Sequence, residues 1–176
     1  MFDTLPDRVR ATLPAVDFCS VRFVRTRSQE LSVRSGVLQP IRADEDLGAM
    51  VVVHDGGGAG YAATSDLSDS GIAEALATAR TWARRSAKLS ITDYSAVAMP
   101  HPIGTYESPV VTPWSALSLA DKIALLRQAS EGLAVDARIV DREAGLWWTQ
   151  AETRYITNGG GDVRQTQHLL VPTLSV

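Results

Sequence analysis

Apolar and polar positions alternate along this chain with two different periods, and the switches between them mark its elements. Leu5, Val9 and Leu13 recur at helical spacing. Thr4 stands where it can cap that helix, Pro6 and Asp7 suit its first turn, and Pro14 stops it. Cys19, Val21 and Phe23 then alternate with Ser20 and Arg22, the period of a half-buried strand. Leu31, Val33 and Val37 continue as a second strand, and the polar stretch Arg25–Gln29 is expected to turn between the two as a hairpin. Residues 39–48 read as a polar connection.

Ala49–His54 is a β-branched run that predicts a central strand. Gly56, Gly57, Gly58 and Gly60 are assigned to a turn, and Tyr61–Thr64 returns as a strand. Ser68 or Asp69 then caps a helix whose apolar stripe is Ile72, Ala75, Leu76, Ala79 and Ala83, with Trp82 at its margin. Arg80, Arg84, Arg85 and Lys88 gather toward the negative end of that helix. The stretch Leu89–Ser115 holds four prolines and is too long for a plain connector. It predicts an ordered surface excursion or a functional loop. Ser118 caps a second amphipathic helix, with Leu119, Ile123, Leu126 and Ala129 inward and Gly132 as its stop. Ala137–Gln150 and Glu152–Thr157 read as paired strands, Asn158–Gly161 as a turn and Asp162–Val176 as the last strand. Strands in hairpin-like groups around two helices favour an α+β fold over a doubly wound one. The expected architecture is a largely antiparallel or mixed β-sheet with two main helices packed on it plus a short N-terminal helix.

Composition narrows the function classes more than it selects one. The 176 residues can bury a core without disulfides or metals, and the net charge of −3 gives no nucleic-acid footprint. A single cysteine, Cys19, excludes an intrachain disulfide and fits a reducing compartment, where it reads as a small buried hydrophobe. The N-terminus lacks the pattern of a signal peptide, and no apolar run approaches the ~20 residues of a membrane span. A cytoplasmic protein with no membrane and no nucleic-acid partner is expected.

Candidate chemistry is sparse. The glycines of His54-Asp-Gly-Gly-Gly58 feed a strand, whereas a dinucleotide fingerprint must open into a helix; a phosphate loop's Gly-Lys-Ser/Thr is missing too. The same stretch faintly resembles a lipase oxyanion loop, but no Gly-x-Ser-x-Gly elbow accompanies it. His54, His101 and His168 share no zinc-ligand spacing. The carboxylates Asp44–Asp46, Asp66, Asp69, Asp141 and Glu143 are spaced too loosely to pair for acid–base work. Trp114, Trp147 and Trp148 could line a binding surface, although strand tryptophans more often fill a core or an interface. No residue is put forward as catalytic, cofactor-binding or metal-ligating.

Taken in order, these stretches resemble the N-terminal domain of the TldD/PmbA metallopeptidases, also called modulators of DNA gyrase. Leu31-Ser-Val-Arg-Ser-Gly36 resembles the family's early strand. Met50–Ser68, with its Asp-Gly, Gly-Tyr-Ala and Thr-x-Asp-Leu-Ser segments, resembles its hallmark, and the Ala-rich helix through Ala83 follows. Tyr155-Ile-Thr-Asn-Gly-Gly160 is similar to a later family turn. His54, where an arginine often ends the strand, and Thr157-Asn-Gly, where Asn-Ser is usual, mark a divergent branch.

The resemblance implies a two-domain, cytoplasmic, zinc-dependent peptidase that cuts unfolded peptides and associates as a homodimer or heterodimer. Zinc would sit in a C-terminal domain on a His-Glu-x-x-x-His motif plus a cysteine, and no such motif occurs in this sequence. Residues 1–176 are then expected to be a fragment of a longer protein, with a second domain starting near 162–176, and to supply scaffold and a wall of the peptide-access route. The competing readings are a non-catalytic peptide- or protein-binding module or an inactive partner subunit and, more distantly, a small-molecule hydrolase without a nucleophile–base pair.

Overall fold

The computed structural model describes residues 2–176. A 3₁₀ turn, Phe2–Thr4, leads into α1 (Leu5–Arg10). Then come β1 (Phe18–Arg34), β2 (Val37–Leu38), β3 (Arg42–Asp55), β4 (Gly58–Thr64) and α2 (Asp69–Ser86). After them stand β5 (Ile103–Glu107), α3 (Leu119–Gly132), β6 (Glu143–Thr157) and β7 (Asp162–Ser175). The seven strands form one mixed sheet in the order β4-β3-β1-β6-β7-β5, with β2 paired to β1. This is the α+β fold expected, with two main helices and a short N-terminal one.

Backbone hydrogen bonds fix the strand directions. Asn158 N–H donates to the Cys19 carbonyl and Ser35 N–H to the Arg142 carbonyl, so β1 and β6 run antiparallel. Asp162 N–H donates to Pro102 and Ser108 N–H to Thr166, so β5 runs parallel to β7 and makes the sheet mixed. The excursion 89–115 is thus ordered and contributes an edge strand.

Several local expectations need correction. Arg25–Gln29 does not turn: β1 is continuous through it. The stretch lacks Gly, Pro, Asn and Asp, and its polar side chains find partners in the extended form. Arg25 pairs with Glu152 at 2.6 Å, Arg27 with Glu45 at 3.2 Å, and Gln29 accepts the Trp114 indole N–H at 2.8 Å. The reversal falls instead at Ser35-Gly36, both at positive φ (46° and 80°), which is the two-residue turn that suits strand twist. Residues 42–48, read as a connection, are the exposed start of β3, where charge is tolerated. Val37 is 64% exposed and not inward. Ala137–Gln150 and Glu152–Thr157 are not a pair: a single strand begins only at Glu143. Thr4 makes no capping bond from its side chain, because the 3₁₀ turn runs straight into α1, which ends at Arg10, short of Pro14.

Of the four glycines assigned to the β3–β4 turn, only Gly56 and Gly57 occupy it, at φ 64° and 84°. Gly58 and Gly60 are strand residues of β4, and their missing side chains let α2 lie directly on the strand. A Cβ on Gly60 would collide with the Ala79 carbonyl and stand 2.8 Å from Cβ of Trp82. Ser68, not Asp69, caps α2 by accepting from Gly71 N–H. The helix buries the predicted stripe but leaves Trp82 54% exposed. In α3 Ser118 caps the helix as expected, and Asp121 completes a capping box with it. Its buried face differs, because Lys122, Leu126 and Ser130 are inside while Leu119 is 44% exposed. Gly132 is the last residue of α3, and Leu133 occupies the C-cap.

The chain divides into two compact units, each assembled from three segments. The first comprises Met1–Arg25, Asp46–Tyr106 and Glu152–Gln165. Its core joins Cys19, Val21 and Phe23 of β1 and Val51 and Val53 of β3 to the α2 stripe and to Leu5 and Val9 of α1. The second comprises Thr26–Glu45, Glu107–Ala151 and Thr166–Val176. Its smaller core is Leu31, Val33, Leu126 and Ala144, flanked by Trp114, Ile123 and Leu146.

Candidate functional site

Within the second unit a cleft of about 460 Å³ is walled by two indoles. Trp148 comes from β6, and Trp114 from a 3₁₀ turn, Trp114–Ala116, in the proline-rich excursion. Their rings stack with centroids 5.7 Å apart and planes 6° from parallel. Three contacts fix the plane of Trp114. Its N–H donates to Gln29, its body packs on the Leu31–Leu126 cluster, and the Lys122 ammonium lies 3.7 Å from its ring centroid. Lys122 is 5% exposed, and burial lowers its pKa; the aromatic face supplies the attraction that water would have given. This explains why α3 turns a lysine inward. Around the indoles stand Arg27, Glu107, Gln150 and His168, a small polar set on a largely aromatic surface.

The first unit gathers the other two histidines. His54, at the end of β3, is 6% exposed between the rings of Phe18 (5.4 Å) and Tyr94 (4.8 Å), and its Nδ1 is buried without a hydrogen-bond partner. His101 lies against the other side of this cluster, 5.8 Å from Phe18, and its Nδ1 is 2.7 Å from the Thr157 hydroxyl. Tyr94 N–H also donates to the Gly57 carbonyl. Together these contacts clasp the start of the excursion onto β3, β1 and β6. Burial holds the His54 pKa below its ordinary value, against the opposing charge of Asp17. The neutral ring is therefore the native form, and the unfolded state takes up the proton first. Stability is full above about pH 6.5 and falls as the pH drops from there toward the folded value. Urea midpoints at pH 7.5 and 5.5 should show this loss in the wild type and a smaller one in His54→Phe. Equal losses would mean that His54 is not the group responsible.

Neither place fits a metal. Among the described residues no three of His, Cys, Asp and Glu come together. Cys19 is fully buried, and burial pushes its thiol up to about 12, far from the thiolate a metal requires. Asp55, one of the acidic side chains of the first unit, instead receives Arg80 and Arg84, both at 2.8 Å on the same oxygen, and ties the end of β3 to α2. Sequence spacing gave no signal for Arg27, Glu107 and Gln150 as cleft residues, because they lie on three different strands.

Residues 19–83 match the family model described as PmbA/TldA metallopeptidase domain 1. Over that stretch the chain is similar to the PmbA/TldD family. Solved structures share the fold over nearly the whole chain. A proposed modulator of DNA gyrase from Thermotoga maritima matches with TM-score 0.71 at 17% identity, covering 99% of this chain and 39% of its own. Another from Bacteroides thetaiotaomicron gives 0.72 at 14%, covering 98% and 40%. TldE from Thermococcus kodakarensis gives 0.67 at 17%, covering 95% and 37%. The chain thus spans about two fifths of the length of these PmbA/TldD-like proteins. No curated protein matches the sequence. Among the described residues no helix is long and apolar enough to cross a membrane.

Proposed function

We propose that this chain is the N-terminal scaffold of a cytoplasmic, zinc-dependent peptidase that acts on unfolded peptides beside a second family member. In this reading it walls the route of the peptide to a metal held outside residues 2–176. One observation carries it: residues 19–83 match a metallopeptidase first-domain model. Two features suit an extended peptide. The strand β5 closes one end of the sheet order and is exposed along its length, so its outer backbone groups are open to strand addition. The indole cleft offers side-chain contacts in the second unit.

The test is binding of a labelled, reduced and carboxymethylated α-lactalbumin, followed by fluorescence anisotropy. Saturable binding is expected for the unfolded chain and none for the native, disulfide-intact form. Failure to bind the unfolded chain sinks the reading. The alternative, a non-catalytic binding module or an inactive partner subunit, predicts the same binding. It parts from the first when the polypeptide containing these residues is incubated with that substrate: chelator-sensitive cleavage marks the peptidase.

A further inference from the structure

The indole cleft has a chemistry of its own, and we propose that it is a subsite for a neutral aromatic side chain of the bound peptide. The inference rests on the peptide reading above and adds a preference to it. Shape comes first. Trp114 and Trp148 stack with nearly parallel planes, and Val110 and Pro113 add apolar surface beside them. A planar ring gains more against an indole than a branched aliphatic chain of similar area, because aromatic pairs add to their area burial.

Charge then removes the competing occupants. A ligand cation, which indole faces often attract, meets a π system already engaged by the Lys122 ammonium and lined by Arg27. A ligand carboxylate finds in Arg27 a guanidinium already held by Glu45 and meets Glu107 on the same wall. What remains is a neutral ring. Preorganisation supports the assignment. Trp114 is fixed from behind by Gln29 and Lys122, so the wall exists before a ligand arrives and little ordering opposes binding.

The experiment uses dye-labelled decapeptides of Gly and Ser carrying one central Phe, Leu, Glu or Lys, with anisotropy as the readout. The Phe peptide should bind roughly 2- to 12-fold tighter than the others, the ratio that such a ring pair supports. Trp148→Ala should abolish the preference while unfolded α-lactalbumin still binds, and Trp148→Phe should retain it. Trp147→Ala should change neither, because Trp147 is 51% exposed and takes no part in the cleft. Equal affinities across the series, a preference for Lys or Glu, or a Phe preference that survives Trp148→Ala would overturn the subsite. Loss of all peptide binding in the wild type would instead strike the reading on which it rests.

Discussion

Replacing Gly60 with alanine should unfold much of what α2 stabilises. The added methyl meets the Ala79 carbonyl and the Ala83 amide, both backbone atoms of the helix, and neither can turn aside. The helix must lift from β4, and lifting it opens the core beneath Ala79 and Ala83, which are both fully buried. Overpacking of this kind costs about 3 kcal/mol or more. For a chain of this length that is about 6–12 °C in Tm. Gly58→Ala should behave alike, because its Cβ meets the Ala83 carbonyl and comes within 2.8 Å of Cα of Ala87. Gly104 is the control: a Cβ there meets nothing within 4 Å, and its alanine variant should stay within about 0.5 kcal/mol of wild type. Thermal melts of the three variants decide the matter. A Gly60→Ala protein that melts with the wild type would mean that α2 does not seat on β4 as described.

The second large effect is expected at Phe23. Its ring is fully buried in the core of the first unit, on the strand that lies between β3 and β6. Truncation to alanine removes an aromatic contact surface and leaves a cavity that rigid strands cannot close, at about 3–5 kcal/mol. Val37→Ala should cost no more than about 0.5 kcal/mol, because that valine is 64% exposed beside the Ser35-Gly36 turn. Urea unfolding of both variants separates the two cases, and similar midpoints would contradict the burial pattern of β1 and β2.

Side-chain periodicity made the first core legible. The α2 stripe, Cys19, Val21 and Phe23 of β1 and Ala49, Val51 and Val53 of β3 are inside, because strand and helix periods translate directly into faces. Strand length was not legible. Whether Arg25–Gln29 bends depends on Glu152, Glu45 and Trp114, partners remote in sequence that no local pattern announces. The same limit applies to the glycines. Four in a row of five suggest a turn, yet two of them serve helix contact, a demand set by α2 and invisible at β4. Lys122 shows it once more, since a lysine reads as outward until an indole is known to lie over it. The tryptophan cleft is half visible: the sequence offers Trp114, Trp147 and Trp148 as lining candidates without separating them, and the stacking of Trp114 on Trp148 joins residues from distant elements.

The place of β1 between β3 and β6 also bears on how the chain is made. β3 and β4 follow β1 within a few dozen residues, but β6 begins only at Glu143. At ~5–20 residues per second, a ribosome needs roughly 5–20 s between finishing β1 and starting β6. Throughout that interval one edge of β1 has no neighbour, and the Cys19 carbonyl waits for the Asn158 amide beside a strand of core side chains. Nascent chains stalled before residue 143 should therefore depend on chaperones that the finished protein no longer needs.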